Sequence, residues 1–176
     1  MDLDDVSTVT VFGSADPRED DPAYEVAREV GRVLAELGYR IANGGYGGTM
    51  EAAARGARDA GGKTVGVTCR LWRSAPNAYI DRDVETVDLP ERLSRLIELG
   101  TGGYVVLPGA TGTLMELATV WELTGKGMLQ ARPIVCMGEF WRPVVGMMAR
   151  QRPASAERVR VVAGPAELRA HFAALR

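Results

Sequence analysis

The 176-residue chain is poor in the side chains on which much enzyme chemistry depends, with two cysteines and one histidine. Cys69 and Cys136 each lie at or beside a short apolar run, which favours buried thiols over a disulfide or a metal site. His171 has the position of a surface residue on a C-terminal helix and offers no general base. The only lysines, Lys63 and Lys126, lie in linking segments or at element ends, where neither is a convincing partner for pyridoxal phosphate. We therefore expect neither a metal nor a cofactor.

Long apolar runs and a concentrated charge of one sign are also missing. No apolar stretch approaches the length of a membrane span, and the start, MDLDDVSTVT, is acidic where a secretory signal would be basic and then apolar. The net charge is -2 and the 21 basic residues are dispersed, which gives no electrostatic footprint for nucleic acid. We expect a cytoplasmic protein that binds neither nucleic acid nor a membrane.

Short valine-rich runs alternate with stretches of helical periodicity. The runs are too short and too apolar for helices and are typical of strands buried on both faces: STVTVFG, YRIANGG, KTVGVT, VETVDL, GYVVLPG, RPIVCMG and RVRVVAG. This alternation predicts an α/β, Rossmann-like, three-layer fold, with a mostly parallel sheet of about seven strands and helices on both faces. The chain length and its hydrophobic content predict one domain over residues 1–176, and residues 1–6 are expected to be disordered.

Two loops of this predicted sheet are rich in glycine immediately before a helix. They are NGGYGGTMEAAARGA, after the second strand, and PGATGTLMELA, after the fifth. Ligands bind beyond the carboxyl ends of parallel strands, which is where both loops fall. The glycines let backbone N–H groups approach an anion at the positive end of a helix dipole. A single such loop could be only a tight turn, whereas two in one small sheet favour a phosphate site.

Two common nucleotide-binding motifs do not fit the sequence. The first strand is followed by FGSADPRED, with one glycine and an acidic run, where a dinucleotide fingerprint needs G-x-G-x-x-G. The stretch GGKT at 61–64 matches only the tail of a P-loop, because Ala57 stands where the first glycine belongs and a strand follows instead of a helix. The sequence therefore disfavours NAD and a Walker-type triphosphate site.

One carboxylate lies close to the second glycine-rich loop. Glu116 follows Gly112 by four residues, about one helical turn. A phosphate at this helix N-terminus would bring its attached sugar near the carboxylate, which could stabilise the positive charge of glycosidic cleavage or activate water. Arg92, on the preceding helix, could bind the phosphate or a sugar hydroxyl, or set the pKa of the carboxylate. The alternatives are a helix-dipole partner for Glu116 and a solvated surface charge for Arg92.

The stretch PGATGTLMELATVWE resembles the P-G-G-x-G-T-x-x-E motif of the LONELY GUY family, the cytokinin riboside 5'-monophosphate phosphoribohydrolases once labelled lysine decarboxylases. The likeness covers most of the chain, since VTVFGSADP is similar to the family's first strand and Gly-Ser turn, and RPIVCMGEFWRPVV to the segment after the motif helix. The resemblance implies a Rossmann-like homodimer. Such a protein would hydrolyse a nucleoside 5'-monophosphate to free base and ribose 5-phosphate without a metal or redox cofactor.

The same resemblance implies roles for individual residues. Glu116 would be the catalytic carboxylate, and Arg92 would match the arginine of the family's M-H-x-R-K stretch. The residues implied to hold the nucleotide and its phosphate come from the motif, the second glycine loop and the turn after the first strand: Pro108, Gly109, Ala110, Thr111, Gly112, Thr113, Gly44, Gly45, Gly47, Gly48, Gly13 and Ser14.

Three stretches depart from the family pattern. Ala110 replaces the second glycine of the motif, which is harmless only where the backbone needs no positive φ and the ligand leaves room for a methyl group. LPERL keeps only the Glu-Arg core of M-H-x-R-K. GGTMEAA, with Glu51, equally resembles the related molybdenum-cofactor carrier proteins, which bind a pterin-type cofactor without cleaving it. Two functions therefore stay open, a nucleotide N-glycosidase, which we prefer, and a carrier of a phosphorylated cofactor.

The identity of the base is open as well. The stretch CRLWRSAPNAYI after the third strand is expected to supply part of the base-binding wall, together with the helix that carries Met115 and Trp121. Trp72, within this stretch, could stack on a ligand or cover a dimer seam.

Overall fold

The computed structural model describes residues 6–129 and 132–175. Of the segment expected to be disordered, only Val6 lies within the described residues. Seven strands form one sheet in the order β4-β3-β2-β1-β5-β6-β7, and every neighbouring pair is parallel. The strands are β1 Thr8–Phe12, β2 Arg40–Asn43, β3 Thr64–Cys69, β4 Arg82–Thr86, β5 Gly103–Val106, β6 Ile134–Met137 and β7 Val159–Val162.

Helices connect most successive strands, as the alternating sequence pattern predicts, whereas β3 and β4 are joined by a 3-10 turn and a loop. They are α1 Pro22–Glu36, α2 Thr49–Asp59, α3 Leu89–Leu99, α4 Thr111–Gly125, α5 Arg142–Gln151, α6 Pro153–Ala156 and α7 Pro165–Ala173, with 3-10 turns at Arg70–Trp72 and Glu139–Trp141. Across the described ranges, no helix combines the length and the apolar content that a membrane crossing requires.

The core strands are buried on both faces, because one hydrophobic cluster lies on each side of the sheet. Val105 belongs to the cluster formed with α1, α2 and α7, whereas its neighbours Tyr104 and Val106 belong to the cluster formed with α3 and α4. Alternate residues of a strand point to opposite faces, so a buried central strand must be apolar throughout. The predicted three-layer α/β fold is confirmed. Cys69 and Cys136 are buried and free.

The strand order creates a topological switch point beside β1. The chain builds β2, β3 and β4 outward on one side of β1 and then returns to place β5 on the other side. The loops that leave β1 and β5 at their carboxyl ends therefore diverge and open a crevice between them, which is where ligands bind in sheets of this kind.

Close packing of α1 against α2 positions the loop that follows β2. A Cβ added to Gly31 on α1 would overlap the backbone carbonyl of Ala53 on α2, and a Cβ added to Gly56 on α2 would overlap the carbonyl of Arg28 on α1. The two glycines therefore allow the helix backbones to touch. Because α2 begins directly after the loop that follows β2, this contact also sets the position of that loop.

We predict that Gly31→Ala destabilises the protein by about 1–3 kcal/mol, since the added methyl group meets backbone atoms that cannot move aside. Gly146→Ala on α5 is the matched control, because a Cβ there meets no atom within 4 Å. Removing a helical glycine at an open position is expected to be neutral or to stabilise by up to about 1 kcal/mol. Urea denaturation of both variants checks this, and equal stabilities would contradict the backbone contact.

Candidate functional site

A cleft of about 440 Å³ opens at the carboxyl edge of the sheet, between the loops that follow β1, β2, β3 and β5. The residues proposed from the sequence that line it are Gly13, Ser14, Gly44, Arg92, Ala110, Gly112, Thr113 and Glu116. Several others lie in the same loops without being among the lining residues: Pro108, Gly109, Gly45, Gly47 and Gly48. Thr111, Met115 and Trp121 lie on α4 and are not among the lining residues either. The fold thus brings both glycine-rich loops to one edge, while only part of each faces the cleft.

The N-terminus of α4 presents unpaired backbone donors to the cleft. Its N-cap is Ala110, with φ −91° and ψ −155°, an extended conformation that any L-residue adopts without strain. Within the described part of the chain, no hydrogen bond joins the N–H groups of Thr111, Gly112 and Thr113 to an acceptor. A Cβ on Gly112 would meet nothing within 4 Å. Free N–H groups at the positive end of a helix are typical of an anion site.

The residues just before α4 shape this turn. Thr113 is buried, and its hydroxyl lies where a Cβ of Gly109 would be. Any larger residue at 109 would push the threonine away from the turn. The glycine therefore acts by leaving space for Thr113, and its φ is not in the left-handed region.

The loop after β2 is held by its own hydrogen bonds. The side chain of Asn43 accepts from the N–H of Gly45 at 2.8 Å, and the amide of Asn77 donates to the carbonyls of Gly45 and Tyr46 at 3.0 and 2.8 Å. Gly48 has φ 67°, and a Cβ there would overlap the carbonyl of Ser14. These contacts explain the glycines as turn residues, so a phosphate-binding role for Gly45, Gly47 and Gly48 stays a prediction.

Arg92 is buried beneath the cleft, although its sequence context resembles a surface helix. Its side chain is 8% exposed. The Nε–H donates to the carbonyl of Val67 at 2.7 Å, and Nη2 donates to the carbonyl of Gly44 at 3.1 Å. Nη1 lies 3.9 Å from Oε1 of Glu116. Burial lowers the pKa of Arg92 and the charge of Glu116 opposes that shift, but a guanidinium stays protonated. The structure therefore rules out a solvated surface charge.

Glu116 presents a carboxyl group to the cleft. Only 8% of the residue is exposed, and no hydrogen bond reaches its carboxylate from the described residues. Burial raises the pKa of Glu116 to about 7, with the charge of Arg92 acting in the opposite direction. The residue lies beyond the first turn of α4, which weakens the interpretation as a helix-dipole partner. A carboxyl group with a perturbed pKa in a cleft is typical of a functional site.

Two features of the cleft were missed by sequence reasoning. Asp16 lines it, and its carboxylate accepts a hydrogen bond from the hydroxyl of Ser14 at 2.9 Å. Tyr46 lines it too, and its ring packs edge-to-face on that of Trp72 with centroids 5.5 Å apart. The acidic run after β1 and an aromatic residue inside a glycine loop were the available signals. Neither says which way the side chain points.

Comparison with known proteins finds a matching family and a similar protein of known activity class. The SLOG cluster4 family matches residues 6–165 of this chain. A cytokinin riboside 5'-monophosphate phosphoribohydrolase from Mycobacterium tuberculosis is 34% identical over 145 residues, which are 81% of this chain and 75% of that protein.

Solved structures of similar fold cover almost the whole chain. A Moco carrier protein from Chlamydomonas rheinhardtii has a TM-score of 0.72 and 26% identity, with 97% of each chain covered. The molybdenum cofactor binding protein from the phototrophic bacterium Rippkaea orientalis has a TM-score of 0.77 at 20% identity, again covering 97% of each chain, and shares the fold.

We predict that Glu116→Gln stabilises the protein at pH 8 more than at pH 5. The folded pKa of Glu116 lies near 7, above its ordinary value of 4.5, so the folded state retains the proton while the unfolded state releases it. Stability is therefore lost as the pH rises from about 4.5 to 7, by an amount on the order of 3 kcal/mol, and glutamine removes this loss. Urea denaturation at the two pH values measures it. A stability difference independent of pH would contradict the raised pKa.

Proposed function

Since the chain belongs to the SLOG cluster4 family and is related over most of its length to a cytokinin riboside 5'-monophosphate phosphoribohydrolase, we propose that it hydrolyses the N-glycosidic bond of a nucleoside 5'-monophosphate. The products are the free base and ribose 5-phosphate. The observation that carries the proposal is Glu116, a buried carboxyl group with a pKa of about 7, one turn into the helix whose N–H groups are unpaired.

The phosphate binds at the start of α4 in this proposal. The N–H groups of Thr111, Gly112 and Thr113 have no acceptor among the described residues, the space beside Gly112 is open, and the first turn of the helix contains no acidic residue. The helix dipole and these donors together favour a dianionic phosphate. The hydroxyls of the two threonines supply further donors.

The sugar then lies beside Glu116. Departure of the base leaves positive charge on the sugar ring, and an ionised carboxylate stabilises that charge or takes a proton from the attacking water. In a buried site this attraction is stronger than in water, because few solvent dipoles screen it. The developing positive charge also favours ionisation of a group whose resting pKa is near neutral.

In this proposal Arg92 allows Glu116 to ionise near neutral pH. Its Nη1 lies 3.9 Å from Glu116 and lowers a pKa that burial alone would raise further. The hydrogen bonds to Val67 and Gly44 hold the guanidinium in place, so that it need not reorganise during the reaction. In this proposal Nη1 also contacts a hydroxyl of the bound sugar.

We also propose a cytoplasmic homodimer. Several large apolar side chains on α4, α5 and the preceding 3-10 turn are exposed: Leu114, Phe140, Met147 and Met148. Large apolar side chains exposed in this number are typical of an interface between protein chains.

The second candidate is a carrier that binds a phosphorylated cofactor without cleaving it. It is supported by the likeness to the Moco carrier protein over 97% of both chains. A carrier would also bind the phosphate at the α4 N-terminus, but the buried Glu116 would then have no function. Glu51, which gave the sequence its carrier-like character, accepts a hydrogen bond from the hydroxyl of Tyr24 at 2.9 Å and so has a structural partner. The hydrolase therefore remains the preferred function.

We predict that Glu116→Gln abolishes the release of free base from a panel of nucleoside 5'-monophosphates. Chromatography measures this release. Glutamine keeps the size of the side chain but can neither carry the negative charge nor accept a proton from water. The matched control is Glu122→Gln on the same helix, where the carboxylate is 66% exposed and pairs with Lys126 on the surface. This control should keep wild-type activity. Turnover by Glu116→Gln would reject the proposed mechanism, and wild-type protein without turnover would support the carrier.

We predict that Gly112→Ala weakens binding of ribose 5-phosphate at least tenfold without lowering the midpoint of thermal unfolding. The added methyl group would occupy the open space in which the phosphate meets the helix N–H groups, at a cost of one or more charge-assisted hydrogen bonds. Gly125→Ala at the far end of α4 is the control, since a Cβ there also meets no atom within 4 Å. Titration calorimetry measures the affinities. Equal affinities in the two variants would place the phosphate elsewhere.

A further inference from the structure

Trp72 differs from the other tryptophans in its exposure. Its surface is 49% exposed, whereas Trp121 and Trp141 are 6% and 2% exposed. The exposed indole lines the cleft. A large apolar ring that the fold leaves half open, within a cleft, is available to a ligand.

The backbone next to Trp72 holds a strained conformation. Arg73 has φ 49° and ψ 34°, and it is the only residue other than glycine with positive φ among the residues that the structure describes. Its N–H closes the 3-10 turn on the carbonyl of Arg70 at 3.2 Å. A left-handed residue with a Cβ persists only where its surroundings determine it, and such strain is common at binding sites. The turn thus fixes the direction in which the indole leaves the chain.

Two neighbours support the indole from within the cleft. The ring of Tyr46 meets it edge-to-face, and the guanidinium of Arg92 lies 5.0 Å from its ring centre. The hydroxyl of Tyr46 accepts from the N–H of Cys69 at 2.7 Å and donates to the carbonyl of the same residue at 3.3 Å. Tyr46 is therefore tied to the end of β3, directly before the turn that carries Trp72. The rings of Tyr46 and Trp72 therefore form an aromatic wall of the cleft.

This wall lies at the opposite end of the cleft from the phosphate site. Trp72 follows β3, whereas the α4 N-terminus follows β5, and β1 and β2 lie between those two strands. With about 4.8 Å between neighbouring strands, the two ends are roughly 14 Å apart. Arg92 links Trp72 to Glu116, since its guanidinium lies 5.0 Å from the indole ring centre and 3.9 Å from Oε1 of Glu116. A mononucleotide extends in the same order, from phosphate through sugar to base.

We propose that the indole of Trp72 is the surface on which the base of the bound nucleotide stacks, with Tyr46 as the residue that positions it. The inference rests on the proposed function, because it assigns the base end of the same substrate. Every base has a flat π face, so stacking supplies affinity for the base without hydrogen-bond recognition.

The test compares AMP with ribose 5-phosphate, which lacks a base, on the wild type, Trp72→Ala and Trp72→Phe. Trp72→Ala should weaken AMP binding roughly ten- to hundredfold, the loss expected for one base–aromatic stack, and raise KM by more than it lowers kcat. Its affinity for ribose 5-phosphate should not change. Trp72→Phe should keep most of the affinity for AMP. AMP, but not ribose 5-phosphate, should quench tryptophan fluorescence in the wild type, and this quenching should vanish in Trp72→Phe.

The outcomes separate this inference from the proposed function. Hydrolysis by the wild type together with unchanged AMP affinity in Trp72→Ala would overturn the stacking role and leave the hydrolase standing. AMP binding that Trp72→Ala weakens, without hydrolysis of any nucleoside 5'-monophosphate of the panel, would support stacking and reject the hydrolase. A change in oligomeric state without a change in AMP affinity would assign Trp72 to a dimer seam instead. Wild-type protein that binds none of the nucleoside 5'-monophosphates of the panel would overturn both proposals.

Discussion

The buried guanidinium of Arg92 is the group around which the cleft is built. It joins α3 to β3 through the carbonyl of Val67 and to the end of β2 through the carbonyl of Gly44. Its position requires glycine at 44, because a Cβ there would overlap Nη2. The same guanidinium lies over the ring of Trp72 and faces Glu116. One side chain thus connects β3 and the loops after β2 and β3 to the helix that carries the carboxylate.

This arrangement contributes little to the stability of the fold. A buried Arg–Glu pair at 3.9 Å, without a direct hydrogen bond, recovers little of the desolvation cost of its two charges. The raised pKa of Glu116 expresses the same imbalance, since the folded protein retains the proton that the unfolded chain would release. Together with the unpaired N–H groups of α4, the cleft contains several groups that an anionic, hydroxyl-bearing ligand would satisfy. The folded protein keeps these groups unsatisfied although they lower its stability.

The sequence predicts much of the fold and less of the cleft. Buried parallel strands are apolar on both faces, so each one is visible in the sequence as a short apolar run. The direction of the chain then shows which loops lie at the carboxyl edge of the sheet. Burial of Arg92 is not visible, because LPERL reads as the exposed first turn of a helix and only the contact with Val67 and Gly44 reveals otherwise. The pairing of Tyr46 with Trp72 joins two loops that come together only when β2 and β3 pair. Tertiary contacts of this kind leave no periodic signal.

The two glycine-rich loops look alike in the sequence, yet their helices begin in different surroundings. At the start of α2, the carbonyl of Ser14 accepts from both the N–H and the hydroxyl of Thr49, at 2.9 and 3.0 Å, and Glu51 adds a negative charge to the first turn. At the start of α4 no acidic residue occupies the first turn and the cap is an alanine. At α2 an anion would compete with the carboxylate of Glu51 and the carbonyl of Ser14. At the start of α4 it meets neither a negative charge in the first turn nor an acceptor that already uses the N–H groups. Glycine before a helix is therefore insufficient to identify a phosphate site. What distinguishes the two loops is whether another part of the chain already uses the free donors.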